Sequence, residues 1–182
     1  MASNIPSRGQ IYWADLRPGQ GSEQDGLRPV LIISNNLMNI KAPFVIVIPM
    51  TTSDRSAAGP FNIGYQPSDY ISDSRAIGIL REQGNHFVHG NGVLLCNQSR
   101  AISKERLGLK VGSFTNKAVL AKVKSAIIDS FGVDACEECG FPVRPGAVAC
   151  GKCRRIHRRK CRKCSNLFDL LYNYCPQCGE GV

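Results

Sequence analysis

The chain has 182 residues, of which 43% are hydrophobic, 7% aromatic and 20% charged, close to the average for globular proteins. That length suits one ordinary domain with a small second one and excludes a large multidomain machine, and the composition excludes disorder over most of the chain. The formal net charge of +9 points to a polyanionic partner. No apolar run reaches the roughly 18 residues of a bilayer span and the first ten residues hold no apolar stretch, so a cytoplasmic protein with no membrane partner is expected.

Short apolar runs separated by turn residues begin the chain: Gln10 to Leu16, Pro29 to Ser34 and Phe44 to Met50, joined later by Gly92 to Cys96. These predict the strands of a compact antiparallel sheet or barrel. Val30 to Ile33 and Phe44 to Ile48 are apolar without interruption and rich in β-branched residues, which suits strands covered on both faces. Pro18 to Gly26, with three glycines among polar residues, predicts a long loop. Phe61 to Tyr65 reads as strand, whereas most of 54 to 91 reads as loop. Thr115 is placed to cap a helix running to Phe131, with Leu120, Val123, Ile127 and Phe131 on one face and Gly132 as its stop. Cys96 is expected to be a buried small hydrophobe.

Eight of the nine cysteines follow residue 135, so composition alone predicts two domains, 1–132 and 133–182. Cys136, Cys139, Cys150 and Cys153 recur 25 positions later as Cys161, Cys164, Cys175 and Cys178, each set reading Cys-x2-Cys-x10-Cys-x2-Cys. Paired knuckles of this kind place four thiolates around one zinc ion, and a half of about 25 residues needs such a staple because it cannot bury a sufficient core. Two structural zinc ions are expected, with the regular repeat favouring tandem pairing and an interleaved pairing the alternative, and with every ligand position filled by sulfur and none left for catalysis. Gly140 and Gly179 are placed to turn the chain back toward the metal, and His157 is expected at the surface. The dense basic run from Lys152 to Lys163 either balances thiolate charge or places Arg154, Arg155, Arg158 and Arg159 against RNA phosphates or a partner.

The segment Gly9 to Leu16, followed by Gly21-Ser-Glu-Gln24, Arg28 to Ile33, Pro49-Met-Thr-Thr52 and Leu94 to Arg100, closely resembles the MazF/PemK/Kid toxins. The resemblance covers most of residues 8 to 131. It implies a mainly β (α+β) fold, an SH3-like β-barrel of the MazF/PemK/CcdB type with a C-terminal helix, to which this chain adds two tandem zinc ribbons. It also implies a homodimer that cuts single-stranded RNA without a catalytic metal, leaving 2′,3′-cyclic phosphate and 5′-OH ends, and that a cognate antitoxin neutralises.

By the same resemblance Arg28 and Thr51 are catalytic. The guanidinium fork and the hydroxyl suit the phosphate oxygens of the transition state. A purely structural Arg28 would instead pair with Glu23 or Asp25. Glu23 is read as a third catalytic residue, acting as base or orienting Arg28, and Gln98, Arg100 and Ser22 as RNA-binding. Asn97 stands where an acidic residue is common in these toxins, Ala101 where Ser or Thr is usual, and the segment from Gly64 to Asn91 exceeds the usual loop. That segment carries Arg81, His86 and His89; a histidine pair can supply an acid and a base, while loop histidines are ordinarily just surface residues, and these are read as such. Two other functions fit parts of the sequence: a CcdB-like gyrase poison, against which Arg28 and Thr51 argue, and a non-catalytic nucleic-acid or protein adaptor.

Overall fold

In the computed structural model, which describes residues 5–52, 61–87, 89–132, 135–143, 147–170 and 172–181, the β-branched runs form the centre of a curled antiparallel sheet. The elements in chain order are β1 (Gln10–Asp15), β2 (Leu27–Ile32), α1 (Asn36–Lys41), β3 (Phe44–Thr51), β4 (Asn62–Tyr65), β5 (Tyr70–Ser72), α2 (Ser74–Glu82), β6 (Gly92–Leu95), β7 (Arg100–Ser103), β8 (Leu107–Phe114) and α3 (Lys117–Phe131), then β9 (Arg158–Lys160) and β10 (Leu167–Asp169). The chain divides into two compact units, residues 1–130 and 131–182. Among the described residues no helix is long and apolar enough to cross a membrane.

The sheet of the first unit runs β4-β6-β3-β2-β1-β8-β5, with β7 also paired to β3. Strand β3 gives its first half to β7, through Val45 opposite Ile102, and its end to β6, through Thr51 opposite Val93. That handover curls the sheet into a half-barrel. Alternate residues of the central strands enter two separate cores. Ile11, Trp13, Leu31, Ile48 and Met50 face one, with α2, α3 and the aromatic group Tyr65, Tyr70 and Phe114. Tyr12, Ala14, Val30, Ile32, Val45 and Val47 face the other. This two-sided burial explains why the runs are apolar at consecutive positions. Truncating a fully buried Leu31 or Ile48 to Ala costs about 2–5 kcal/mol.

The structure corrects the reading of 54–91. Besides β4 it contains β5 and the nine-residue α2. The Asp73 carboxylate accepts from the backbone N–H groups of Arg75 and Ala76, each at 3.1 Å, and starts the helix. Ala76 and Leu80 of α2 are buried and Ile77 packs partly against the same core, but this apolar stripe is only about one turn long and Gly78 interrupts it, so it announces the helix weakly. Residues 54–60 and Val88 of that stretch lie outside the described residues. The short α1 likewise has no apolar pattern to reveal it; Asn35 caps it, accepting from Met38 N–H at 2.8 Å.

The start and face of α3 also differ from expectation. Asn116, not Thr115, receives the N–H of Ala118, at 2.9 Å, while the Thr115 hydroxyl donates to the Asp69 carbonyl at 3.3 Å. Val119, Val123 and Ala126 are the buried positions, Leu120 and Ile127 flank them, and Phe131 is 65% exposed. Gly132 ends the helix at φ +62°. Cys96 is fully buried, as expected, and burial pushes its thiol up to about 11.

The second unit is held by local turns and a small core of Cys161, Phe168 and Cys175 beneath the β9–β10 hairpin. The Arg159 guanidinium lies over the Phe168 ring, 5.4 Å from its centroid, and also donates to the Tyr172 carbonyl. Arg155 pairs with Glu138 at 2.8 Å and Lys163 with Glu180 at 3.5 Å. Part of the basic run is therefore committed within its own unit. His157, expected at the surface, is half-buried, its Nε2 buried with no partner among the described residues.

Candidate active site and metal centres

Strand β2 delivers Arg28 opposite Ala14 of β1, and β3 ends at Thr51 opposite Val93 of β6. The two side chains meet in a cleft of about 200 Å³, lined also by Trp13, Pro29, Thr52, Tyr65, His86 and Phe87. Arg28 is half-buried and its fork is aimed by the preceding loop: Nε donates to the Asp25 carbonyl at 2.8 Å, Nη2 to the same oxygen, and Nη1 to Gln24 Oε1. The structural alternative, a carboxylate partner from Glu23 or Asp25, is not what the fork contacts. Burial pushes the guanidinium below its usual range, the Asp25 charge opposes this, and the like charge of Arg100 adds to it.

That last effect ties Arg28 electrostatically to a second, larger cleft of about 620 Å³, lined by Glu23, Asn97, Gln98, Arg100 and Arg106 among others. Arg100 Nη1 lies 3.6 Å from Glu23 Oε2, and its Nη2 donates to the Leu16 carbonyl. The sequence-predicted residues thus fall into two groups. Arg28 and Thr51 share the small cleft; Glu23, Gln98 and Arg100 share the large one. Ser22 is exposed in the Pro18–Gly26 loop and lines neither.

The sequence reading did not single out Trp13, Thr52 or Arg106. Trp13, the chain's single tryptophan, is paired with Pro29 in the β1–β2 register, and its indole N–H is buried without a partner among the described residues. An orphaned donor of this kind costs about 1–3 kcal/mol, and such costs gather at functional sites. The one signal the sequence offers is its place within the apolar run from Gln10 to Leu16; its register with Pro29, the residue after Arg28, is a matter of the fold.

In the second unit the eight late cysteines form two tandem quartets, Cys136/Cys139/Cys150/Cys153 and Cys161/Cys164/Cys175/Cys178, with all sulfurs of each within 4.8 Å of one another. Cross-knuckle Sγ separations are 3.5 and 3.7 Å in the first and 3.6 and 3.5 Å in the second. A tetrahedral ion with metal–sulfur bonds of about 2.3 Å needs sulfurs about 3.8 Å apart, so both quartets fit one zinc-sized ion each. Every knuckle is built alike. The residue after its second cysteine has a positive φ: Gly140 at 65°, Arg154 at 64°, Ser165 at 60° and Gly179 at 72°. Each of these residues donates its N–H to the carbonyl of the knuckle's first cysteine, at 2.8, 3.1, 3.0 and 2.9 Å.

Comparison with known proteins adds a family. The family model described as PemK-like, MazF-like toxin of type II toxin-antitoxin system matches residues 7–131. The chain is 33% identical over 127 residues to a protein named Endoribonuclease MazF from Staphylococcus epidermidis, covering 70% of this chain and 92% of that one. Its namesake in Staphylococcus saprophyticus is 35% identical over 126 residues, covering 69% and 91%. Among solved structures, an endoribonuclease from a mycobacterial species matches at TM-score 0.51 and 25% identity, over 72% of this chain and 96% of that one. MazF from Deinococcus radiodurans matches in fold at TM-score 0.50 and 22% identity, over 70% and 97%.

Proposed function

Because the chain belongs to the PemK-like, MazF-like toxins of type II toxin-antitoxin systems and is an endoribonuclease of that family, we propose that it cuts single-stranded RNA sequence-selectively, without a catalytic metal, at the cleft of Arg28 and Thr51. The observation that carries this reading is the meeting of those two side chains in one cleft, with the charge of Arg100 close enough to act on Arg28.

In such a reaction the ribose 2′-oxygen bonds to the adjacent phosphorus as the bond to the 5′-oxygen breaks. The 2′-hydroxyl gives up a proton and the 5′-oxygen gains one, leaving a 2′,3′-cyclic phosphate and a 5′-OH. Negative charge on the non-bridging oxygens is what the site must stabilise. A guanidinium has five N–H donors, and three of those on Arg28 are used on the Asp25 carbonyl and Gln24. One N–H on each terminal nitrogen is left for the phosphate, and the Thr51 hydroxyl supplies a further donor. Arg100, Gln98 and Ser22 bind the RNA backbone alongside, and Glu23 positions Arg100.

The partners in this reading are single-stranded RNA, a cognate antitoxin and a second copy of the chain. Each cysteine quartet holds one structural Zn²⁺, and the reducing cytoplasm keeps those thiols available. The test is incubation of the zinc-loaded protein with a long single-stranded RNA, with and without EDTA, beside Arg28→Ala. Discrete cuts ending in 2′,3′-cyclic phosphate, persisting in EDTA and lost in the variant, are expected. Cleavage that survives Arg28→Ala sinks the assignment.

A further inference from the structure

The connection from the end of α2 to the start of β6 is anchored at several points, and the anchoring fixes where His86 stands. Asn85 donates its N–H to the Leu80 carbonyl at 2.8 Å, at the end of α2. Phe87 is buried, packing edge-on against Tyr70 with centroids 6.5 Å apart. Gly90 donates its N–H to the Tyr70 hydroxyl at 3.1 Å, and the ring of His89 lies tilted against the same tyrosine with centroids 4.7 Å apart. His89 is thus occupied with Tyr70. His86, between two anchored neighbours, lines the cleft that holds Arg28 and Thr51. Its imidazole has no hydrogen-bond or ion-pair partner among the described residues.

The other described titratable groups lining that cleft are poor proton carriers near neutrality. Arg28 stays a cation, as guanidinium groups do in proteins. Burial pushes the Tyr65 hydroxyl far above its usual range. Glu23, the carboxylate offered by sequence, lines the other cleft and faces Arg100. An imidazole ordinarily titrates near 6.5 and can accept a proton at neutral pH.

We propose that His86 is the general base of the RNA cleavage: its neutral imidazole takes the 2′-hydroxyl proton as the 2′-oxygen bonds to phosphorus, the bond to the 5′-oxygen breaks, and the departing 5′-oxygen takes its proton from water. The proposal rests on the reading of the Arg28–Thr51 cleft as the site of chemistry. It gives the long segment between β4 and β6 a purpose, since among the described residues that line the cleft His86 is the one suited to exchanging a proton at neutral pH.

The experiment uses the full-length, zinc-loaded protein and a short RNA oligonucleotide spanning a cut site found on a long single-stranded RNA. Rates are measured from pH 5 to 9 for wild type, His86→Ala, His86→Gln and Arg28→Ala, with thermal melting and binding of the 2′-deoxy oligonucleotide as checks on folding and the site. General base catalysis contributes about 10²–10⁴-fold, so both His86 variants should lose at least about 100-fold in kcat with KM nearly unchanged. They should also lose the acidic limb of the pH profile, and added imidazole should partly restore His86→Ala. His86 variants that cleave within about threefold of wild type, or that slow down but keep the acidic limb, overturn the proposal while an inactive Arg28→Ala leaves the cleft reading standing. Activity retained in Arg28→Ala, or no cleavage by wild type at any pH, overturns both.

Discussion

Glu23 faces Arg100 across 3.6 Å and lines a different cleft from Arg28. A loop carboxylate five residues before Arg28 is easily assigned to that arginine, and the fold places it against Arg100 instead. The pair is exposed on the Glu23 side, where such contacts contribute about 0–1 kcal/mol. Glu23→Gln should therefore change kcat by less than about fivefold and act mainly on KM, the more so at low salt. Steady-state kinetics at two ionic strengths measure this; a 100-fold loss in kcat makes Glu23 part of the chemistry after all.

Arg28 contributes a fork as well as a charge. Its Nε and Nη2 hold the Asp25 carbonyl while Nη1 holds Gln24, which sets the plane of the remaining donors. A lysine keeps the charge without the plane. Arg28→Lys should stay folded and bind RNA but cleave at least about 100-fold more slowly, a loss comparable to removing one preorganised donor from a site of developing negative charge. Near wild-type cleavage by the lysine variant shows that charge alone suffices.

Each unit has its own core, that of the second being Cys161, Phe168 and Cys175. Removing metal should unfold the second unit and release two zinc ions per chain, while the melting transition of the first survives, because binding energy and folding energy are one quantity in small metal-built modules. Zinc release by a colorimetric chelator and calorimetry on the stripped protein check both halves. Loss of the first unit's transition on stripping contradicts it.

Ser165 occupies a left-handed conformation, φ 60°, that glycine holds at the corresponding turns after Cys139 and Cys178. A non-glycine residue there costs roughly 1–2 kcal/mol. Ser165→Gly should tighten the second quartet's hold on zinc by about two- to fivefold, part of the gain being offset by the greater freedom of glycine when unfolded. Competition with a chelator of known affinity reads the change, and weaker binding than wild type rules the strain argument out.

Cys96 links stability to pH. Its folded thiol is pushed up to about 11 by burial, from an ordinary value of 9.0. The folded state holds that proton more tightly, so its contribution is complete below about pH 9 and is lost as pH rises from 9 toward 11. Denaturant unfolding of wild type and Cys96→Ala at pH 8 and pH 10 isolates the effect. The gap between the two proteins should narrow at the higher pH.

The central strands were legible because two-sided burial demands unbroken apolar runs, as at Val30 to Ile33, and the quartets because thiolate geometry imposes its own spacing. Helix α2 was not, since it buries only Ala76 and Leu80 and leans on the Asp73 cap. The start of α3 went to Asn116 over Thr115 in a junction that Asp69, 46 residues before Thr115, holds from both sides. The Thr115 hydroxyl donates to the Asp69 carbonyl and the Asn116 amide to its carboxylate, which leaves Asn116 Oδ1 to receive Ala118 N–H, and neither contact with Asp69 has a local trace. The same holds for the cleft. Arg28 and Thr51 were recognisable as motifs, but their sharing it with His86, and the loss of Glu23 to Arg100, are matters of tertiary proximity.

Strand β1 lies between β2 and β8, so the strand made first is completed by the strand made last in the first unit. A ribosome adding about 5–20 residues per second leaves β1 with an unpaired edge until Leu107–Phe114 has emerged, several seconds after Arg28 and Thr51. The nascent chain therefore carries both side chains long before the sheet that holds them is finished. If those two side chains do the cutting, the capacity to cut waits on the closing of one pair of strands, late in the chain's own synthesis.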